Sequence, residues 1–258
     1  MALDLDGTLL GPGDTLAEEA RVALGALAAR GVVVALATGR MLCSAAGVQE
    51  RLGVPGPVVA YNGGLIRLPD GRAVEHPVAL EDARLVGRVC RERGWYLQSY
   101  QGDALFVPED EPRAREYGRI AGVPYTVDPR RVWAPEVPPL KLLVIEPAER
   151  QPEVRQGLGP LVRGRLELAN SYAHYLEITA AGVDKGTALA ELCHLLGIDA
   201  GEVLAVGDGE NDLPMLRFAG MGVAVGNASP AVRQAAPRRA SAPFGRGVVE
   251  AVAMAEAM

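Results

Sequence analysis

The chain has 258 residues, 49% of them hydrophobic, with a formal net charge of −6. That length and apolar mass supply one large domain or two modest ones, and the acidic balance excludes the basic surface that nucleic-acid binding requires. No apolar run is long enough to cross a bilayer, and no basic segment followed by an apolar one opens the chain. Cys43, Cys90 and Cys193 form no CxxC pair and read as incidental thiols of a reducing, cytoplasmic protein.

The chain opens MALDLDGTLL, two carboxylates in an otherwise apolar start, where unpaired ionised groups are costly. Only three residues precede Asp4, short for a strand, so a few residues are expected to be missing ahead of Met1. A helix is expected over 15–30, a buried strand over 32–37, a second helix over 41–52 and a strand over 57–60. Beyond the middle of the chain the same alternation returns: a helix over 185–196, a strand over 203–206, a helix over 212–219 and a strand over 222–225. Short continuous apolar runs bounded by Gly or Pro are strands buried on both faces, and their alternation with helices predicts a doubly wound α/β core with a parallel sheet.

The middle has another texture. Strands over 95–100, 104–107, 141–146 and 165–170 look half exposed, with helices over 81–93, 111–121 and 149–162 between them. This predicts an α+β module with a mostly antiparallel sheet, at residues 80–177, inserted into a core made of residues 1–79 and 178–258. Trp95, Tyr96, Tyr100, Tyr172 and Tyr175 are expected in the insert's own core, and Arg113, Arg115, Arg119, Arg130 and Arg131 on a solvated face.

Polar clusters follow the core strands at their carboxyl ends: Asp4 and Asp6, then Thr38-Gly39-Arg40, Asn62-Gly63-Gly64, and Gly207-Asp208-Gly209-Glu210-Asn211-Asp212. Ligands bind at that edge of open α/β sheets, so four distant segments are expected to converge there. Asp4, Asp6, Asp208 and Asp212 crowd carboxylates together, which raises their pKa values unless a cation intervenes. An oxygen donor set without Cys or His suits Mg2+; His76, His174 and His194 have no partner at ligand spacing. Thr38 and the backbone N–H groups after it would open a helix, a ready anion site. Only two of the 26 basic residues are lysines, Lys141 and Lys185, and Lys185 opens a helix as a compact charge suited to a phosphate oxygen. In an extended segment Asp4 and Asp6 point the same way, so one can attack phosphorus while the other handles a proton.

In order, Asp4-Leu5-Asp6-Gly7-Thr8-Leu9, Thr38-Gly39-Arg40, Lys185 and the 207–212 loop resemble the four motifs of the haloacid dehalogenase superfamily, and more closely its Cof-type sugar-phosphate phosphatases. The likeness extends to Asn62-Gly63-Gly64, residues 182–186, Gly226-Asn227-Ala228 and the stretch 245–249. The resemblance implies a Rossmann-like core under a cap, with Asp4 as nucleophile and Asp6 as general acid and base. It implies Mg2+ held by Asp4, the carbonyl of Asp6 and Asp208, with Asp212 supporting its water shell. Leu5, Thr38, Gly39, Arg40, Lys185 and Asn211 would bind the phosphoryl group of a small-molecule substrate. The cap would be the long insert, since the interval between Asp6 and Thr38 is filled by a helix. Oligomeric state stays open.

Plainer readings compete. A calcium loop beginning Asp4-Leu5-Asp6-Gly7 would want an acid at its twelfth position, where Thr15 stands. The glycines over 220–226 open a strand instead of following one, against a dinucleotide loop. Three functions remain: a phosphatase of small phosphorylated metabolites, a phosphomutase or dedicated sugar-phosphate phosphatase on the same scaffold, and a non-catalytic binding protein. The last could dispense with Asp6 and Lys185, yet both are present.

Overall fold

The computed structural model describes residues 1–257. From the start, β1 is Ala2–Leu3, and β2 (Leu10–Gly11) pairs antiparallel with β3 (Thr15–Leu16). Gly13 and Asp14, both at positive φ, turn the chain between them. That hairpin takes Thr15 out of the first helix, so α1 starts at Glu18 and runs Glu18–Ala29, with Glu18 and Glu19 placed favourably in its first turn. β4 is only Ala35–Ala37; Val32 and Val33, expected in this strand, are partly exposed in the lead-in after Gly31. Then come α2 (Leu42–Leu52), β5 (Val58–Ala60), β6 (Leu65–Arg67) and β7 (Ala73–Glu75).

The middle contributes α3 (Leu80–Arg93), β8 (Tyr96–Gln101), β9 (Ala104–Val107), α4 (Pro112–Ala121), β10 (Tyr125–Val127), α5 (Pro129–Trp133), β11 (Lys141–Ile145), α6 (Gln151–Val162), β12 (Leu166–Tyr172) and β13 (Tyr175–Ala180). The chain ends through α7 (Lys185–Leu196), β14 (Leu204–Gly207), α8 (Leu213–Phe218), β15 (Met221–Ala224), α9 (Pro230–Ala235), β16 (Arg238–Arg239) and α10 (Phe244–Glu256).

The chain divides into two compact units, one of residues 1–39, 45–74 and 184–258, the other of residues 40–44 and 75–183. In the first, eight strands form one sheet in the order β16-β15-β14-β1-β4-β5-β6-β7. The six from β16 to β5 run parallel, and β6 pairs antiparallel with β5. β1 therefore lies in the middle of the sheet between β14 and β4, which puts the residues after it beside those after β14 and β4. Val59, Ala205 and Ala224 pack with Leu189, Leu192, Met215 and Leu216 of the helices, so the apolar runs are strands covered by helices, as the pattern predicts.

The second unit is a six-stranded sheet, β10-β9-β8-β11-β13-β12, antiparallel except for β10 with β9. Trp95, Leu97, Leu142, Val144, Leu176 and Ile178 pack with Val86, Val154 and Leu158 from α3 and α6. The other face is polar and still buried. Lys141 pairs with Glu177 at 2.7 Å and sits 4.6 Å from the centroid of the Tyr100 ring. β13, unread in the sequence, is interior to this sheet because a hairpin returns it between β11 and β12. Two expectations fail here. Tyr172 is exposed at the β12 edge, and Arg113, expected on a solvated face, reaches the buried carboxylate of Glu146 at 2.7 Å.

Candidate active site

β1 ends at Leu3, and Asp4 continues its direction with its N–H donated to the Val206 carbonyl of β14 at 3.0 Å. The chain then turns: Thr8 and Leu10 donate to the carbonyl of Leu5, whose side chain is wholly buried. Gly7 at φ +83 makes this turn possible; a Cβ there would lie 2.3 Å from Asp208 Oδ2. Thr8, in the same turn, donates its hydroxyl to Asp208 Oδ1 at 2.9 Å. The first motif and the loop after β14 are thus joined through both backbone and side chains.

Lys185 opens α7, whose N-cap is Asp184 with Thr187 in a capping box. Its side chain is wholly buried, and Nζ donates to Asp4 Oδ1 and to Asp212 Oδ1, each at 2.6 Å. Asp212 Oδ2 accepts the N–H groups of Asp208 and Gly209 at 2.9 and 2.8 Å. Asp212 is committed on both oxygens, which suits it to shaping the 207–212 loop, while Asp208 keeps a carboxylate next to Asp4.

Oxygens of Asp4, Asp208 and Asp212 lie within 4.8 Å of one another. Two buried carboxylates, Asp4 and Asp212, share one ammonium beside the half-buried Asp208, and the electrostatics show the strain. Burial and the charge of Asp212 hold the Asp4 carboxyl well above the ordinary range, with Lys185 working against them. Burial and Asp212 likewise push Asp208 up to about 6, opposed by the Thr8 hydrogen bond. For Lys185, burial favours the neutral amine, but Asp212 and Asp4 outweigh it and hold the ammonium above its usual range. This all-oxygen set with surplus negative charge fits a hard divalent cation.

The other expected residues fall as follows. Thr38 is buried at the end of β4, its N–H on the Val59 carbonyl at 2.8 Å. Gly39 lies against Asn62: a Cβ on it would be 3.1 Å from Asn62 Oδ1. Asn211 donates its amide to that same Oδ1 at 3.0 Å. Asp6 stands outside the clustered carboxylates. Arg40 groups with the second unit, its guanidinium 3.4 Å from the Ser44 hydroxyl. Thr8 and Asn227 lie in stretches that carry the family resemblance, which assigns neither of them a role. Asn227 donates to the Gly7 carbonyl at 2.7 Å and accepts the Phe244 N–H at 2.8 Å.

A family model for haloacid dehalogenase-like hydrolases matches residues 1–251. A phosphoglycolate phosphatase of Methanopyrus kandleri is 34% identical over 95% of this chain and 91% of its own. An HMP-PP phosphatase of Cronobacter sakazakii is 29% identical over 89% and 84%. The crystal structure of TM0651 from Thermotoga maritima superposes with a TM-score of 0.83 at 30% identity, covering 97% of this chain and 94% of that one. The chain therefore belongs to the haloacid dehalogenase-like hydrolases, and among them to the phosphatases.

Proposed function

We propose that the chain is a magnesium-dependent phosphatase that hydrolyses small phosphorylated metabolites, sugar phosphates or phosphorylated cofactors, through an aspartyl phosphate on Asp4. The observation that carries this reading is the Lys185 ammonium, fixed at 2.6 Å from both Asp4 and Asp212 beside the Asp208 carboxylate. Lys185 holds Asp4 Oδ1, which leaves the second oxygen of the carboxylate to attack phosphorus. The bond from phosphorus to the leaving oxygen breaks as Asp6 supplies that oxygen with a proton. Asp6, now ionised, takes a proton from water. The water oxygen attacks phosphorus, the bond to Asp4 breaks, and inorganic phosphate leaves with Asp6 protonated again.

Thr38, Gly39, Arg40, Asn211, the Leu5 backbone and Lys185 would hold the phosphoryl oxygens. Asp4, Asp208 and the Asp6 carbonyl would hold Mg2+, with Asp212 behind them. The ion supplies positive charge that screens the carboxylates from the phosphoryl group. We assign substrate selection to the inserted unit, as a cap, and place the enzyme in a reducing cytoplasm. The two named relatives support a small anionic metabolite as substrate, because phosphoglycolate and HMP-PP phosphatases are both called so for compounds of that kind. Inorganic phosphate released from a panel of phosphorylated metabolites, with and without Mg2+, tests the reading. Release with Mg2+ that is lost in Asp4→Asn supports it. No release from any compound, or undiminished release by that variant, overturns it.

A further inference from the structure

After β5 the backbone takes three successive left-handed residues, Tyr61 at φ 53, Asn62 at φ 56 and Gly63 at φ 106. Two of them are not glycine, a costly conformation that persists only where the surroundings impose it. Here they do: the Asn62 N–H is donated to the Thr38 carbonyl at 2.9 Å, and a Cβ on Gly63 would fall 2.6 Å from the Asp184 carbonyl. The distortion presses Asn62 between the segment after β4 and the segment before α7. Asn tolerates that conformation better than most residues.

The side chain is 4% exposed. Its Oδ1 accepts from Asn211 at 3.0 Å and its amide lies along Gly39, so it joins two of the segments assigned to the phosphoryl group. Its Nδ2 has no hydrogen-bond partner among the described residues. A buried amide donor left unmet is expensive, and the two residues against this amide, Gly39 and Asn211, are both assigned to the phosphoryl group. The geometry points to Asn62 as a further phosphoryl-binding residue: Oδ1 fixes the Asn211 amide, and Nδ2 donates to an anionic oxygen of the bound phosphoryl group. The inference rests on the phosphatase reading above.

The test uses the full chain with Mg2+, p-nitrophenyl phosphate as substrate and inorganic phosphate as competitive inhibitor. Asn62→Gly keeps the backbone conformation and loses the amide. KM and the phosphate inhibition constant should each rise about tenfold, the usual scale for a lost charge-assisted hydrogen bond, with a smaller change in kcat. Asn62→Gly combined with Asn211→Ala should bind phosphate more weakly than Asn211→Ala alone, because the Nδ2 contact is separate from the one through Asn211. Should the glycine variant fail to fold, Asn62→Asp keeps shape and acceptor and must show the same rise. Wild-type KM and phosphate inhibition in the variant that folds, or a double variant no weaker than Asn211→Ala, overturns the assignment while the phosphatase reading stands. A wild-type chain that neither hydrolyses the ester nor binds phosphate overturns both.

Discussion

Replacing Lys185 by methionine keeps most of the side chain's volume and removes the ammonium, its charge and its two donated hydrogen bonds together. The ammonium is the partner of two buried carboxylates at 2.6 Å each, and it sits beside Asp208. Removing one member of a buried ion pair costs about 3–5 kcal/mol because the remaining charge has neither water nor partner. In metal-free protein at about pH 7.5 the variant should lose stability of about that size. The pH dependence is the sharper part. Asp4 and Asp208 already have raised pKa values, and without Lys185 the opposing pull on both disappears. A carboxyl whose folded-state pKa is raised binds more protons folded than unfolded, so stability falls as pH rises through the window between the two values. Acidification therefore neutralises the orphaned carboxylates, and the deficit relative to wild type should shrink towards about pH 5. The ammonium itself stays charged throughout, since its pKa is held above the ordinary lysine value and both conditions lie far below it, so the change with pH comes from the carboxylates. Urea unfolding of both proteins at the two pH values, with chelator, measures this. A deficit that is negligible, or that grows on acidification, would refute the electrostatic account of the cluster. Loss of Lys185 should also lower kcat about 100-fold or more, the scale for removing a donor aimed at developing charge.

Two further outcomes follow from the same geometry. Cation binding must displace the protons that the raised carboxyls retain, so the gain in Tm from excess Mg2+ should be larger at about pH 7.5 than at about pH 5, with Asp208, near 6, in between. An equal gain at both values in a thermal-shift titration would contradict it. Gly7→Ala combines a positive φ with a Cβ 2.3 Å from Asp208 Oδ2. It should destabilise the chain by about 1–2 kcal/mol from backbone strain alone. Displacing Asp208 should also weaken Mg2+ binding, both changes being readable by unfolding and by Mg2+-dependent thermal shift.

Much of this site is visible in the sequence because parallel-sheet strands are short, apolar and bounded, so the polar residues after them stand out. The capping box at Asp184 and Thr187 explains why Lys185 was placed at a helix start correctly, since capping chemistry is local. What stayed hidden is non-local. β13 reads no differently from neighbouring polar segments; its burial comes from β11 and β12 on either side. The first helix, expected from Thr15, begins only at Glu18 because strand pairing with Gly11 claims Thr15. Arg113 reads as a solvated charge, and only the folded sheet shows that it neutralises the buried Glu146. Asn62 belongs to the same class: nothing in Asn-Gly-Gly announces that one half of its amide would find Asn211 and the other half nothing.

Under the proposed mechanism, the charge balance of the cluster also favours one order of arrival for its ligands. Three carboxylates facing one buried ammonium leave the cluster negative when ionised, and a phosphoryl group brings more of the same sign. Like charges at these separations in a poorly solvated site repel strongly, more than the hydrogen bonds proposed for Thr38 and Asn211 would offset. The protein has two ways to relieve the surplus, protons or a cation. Protons would disarm Asp4, since a protonated carboxyl is a poor nucleophile. A divalent cation relieves the same surplus and leaves Asp4 ionised, so the state able to accept phosphate and the state able to attack it are one and the same. The crowding that makes this loop assembly costly in isolation would, in the proposed mechanism, make it selective for a cation followed by a phosphate.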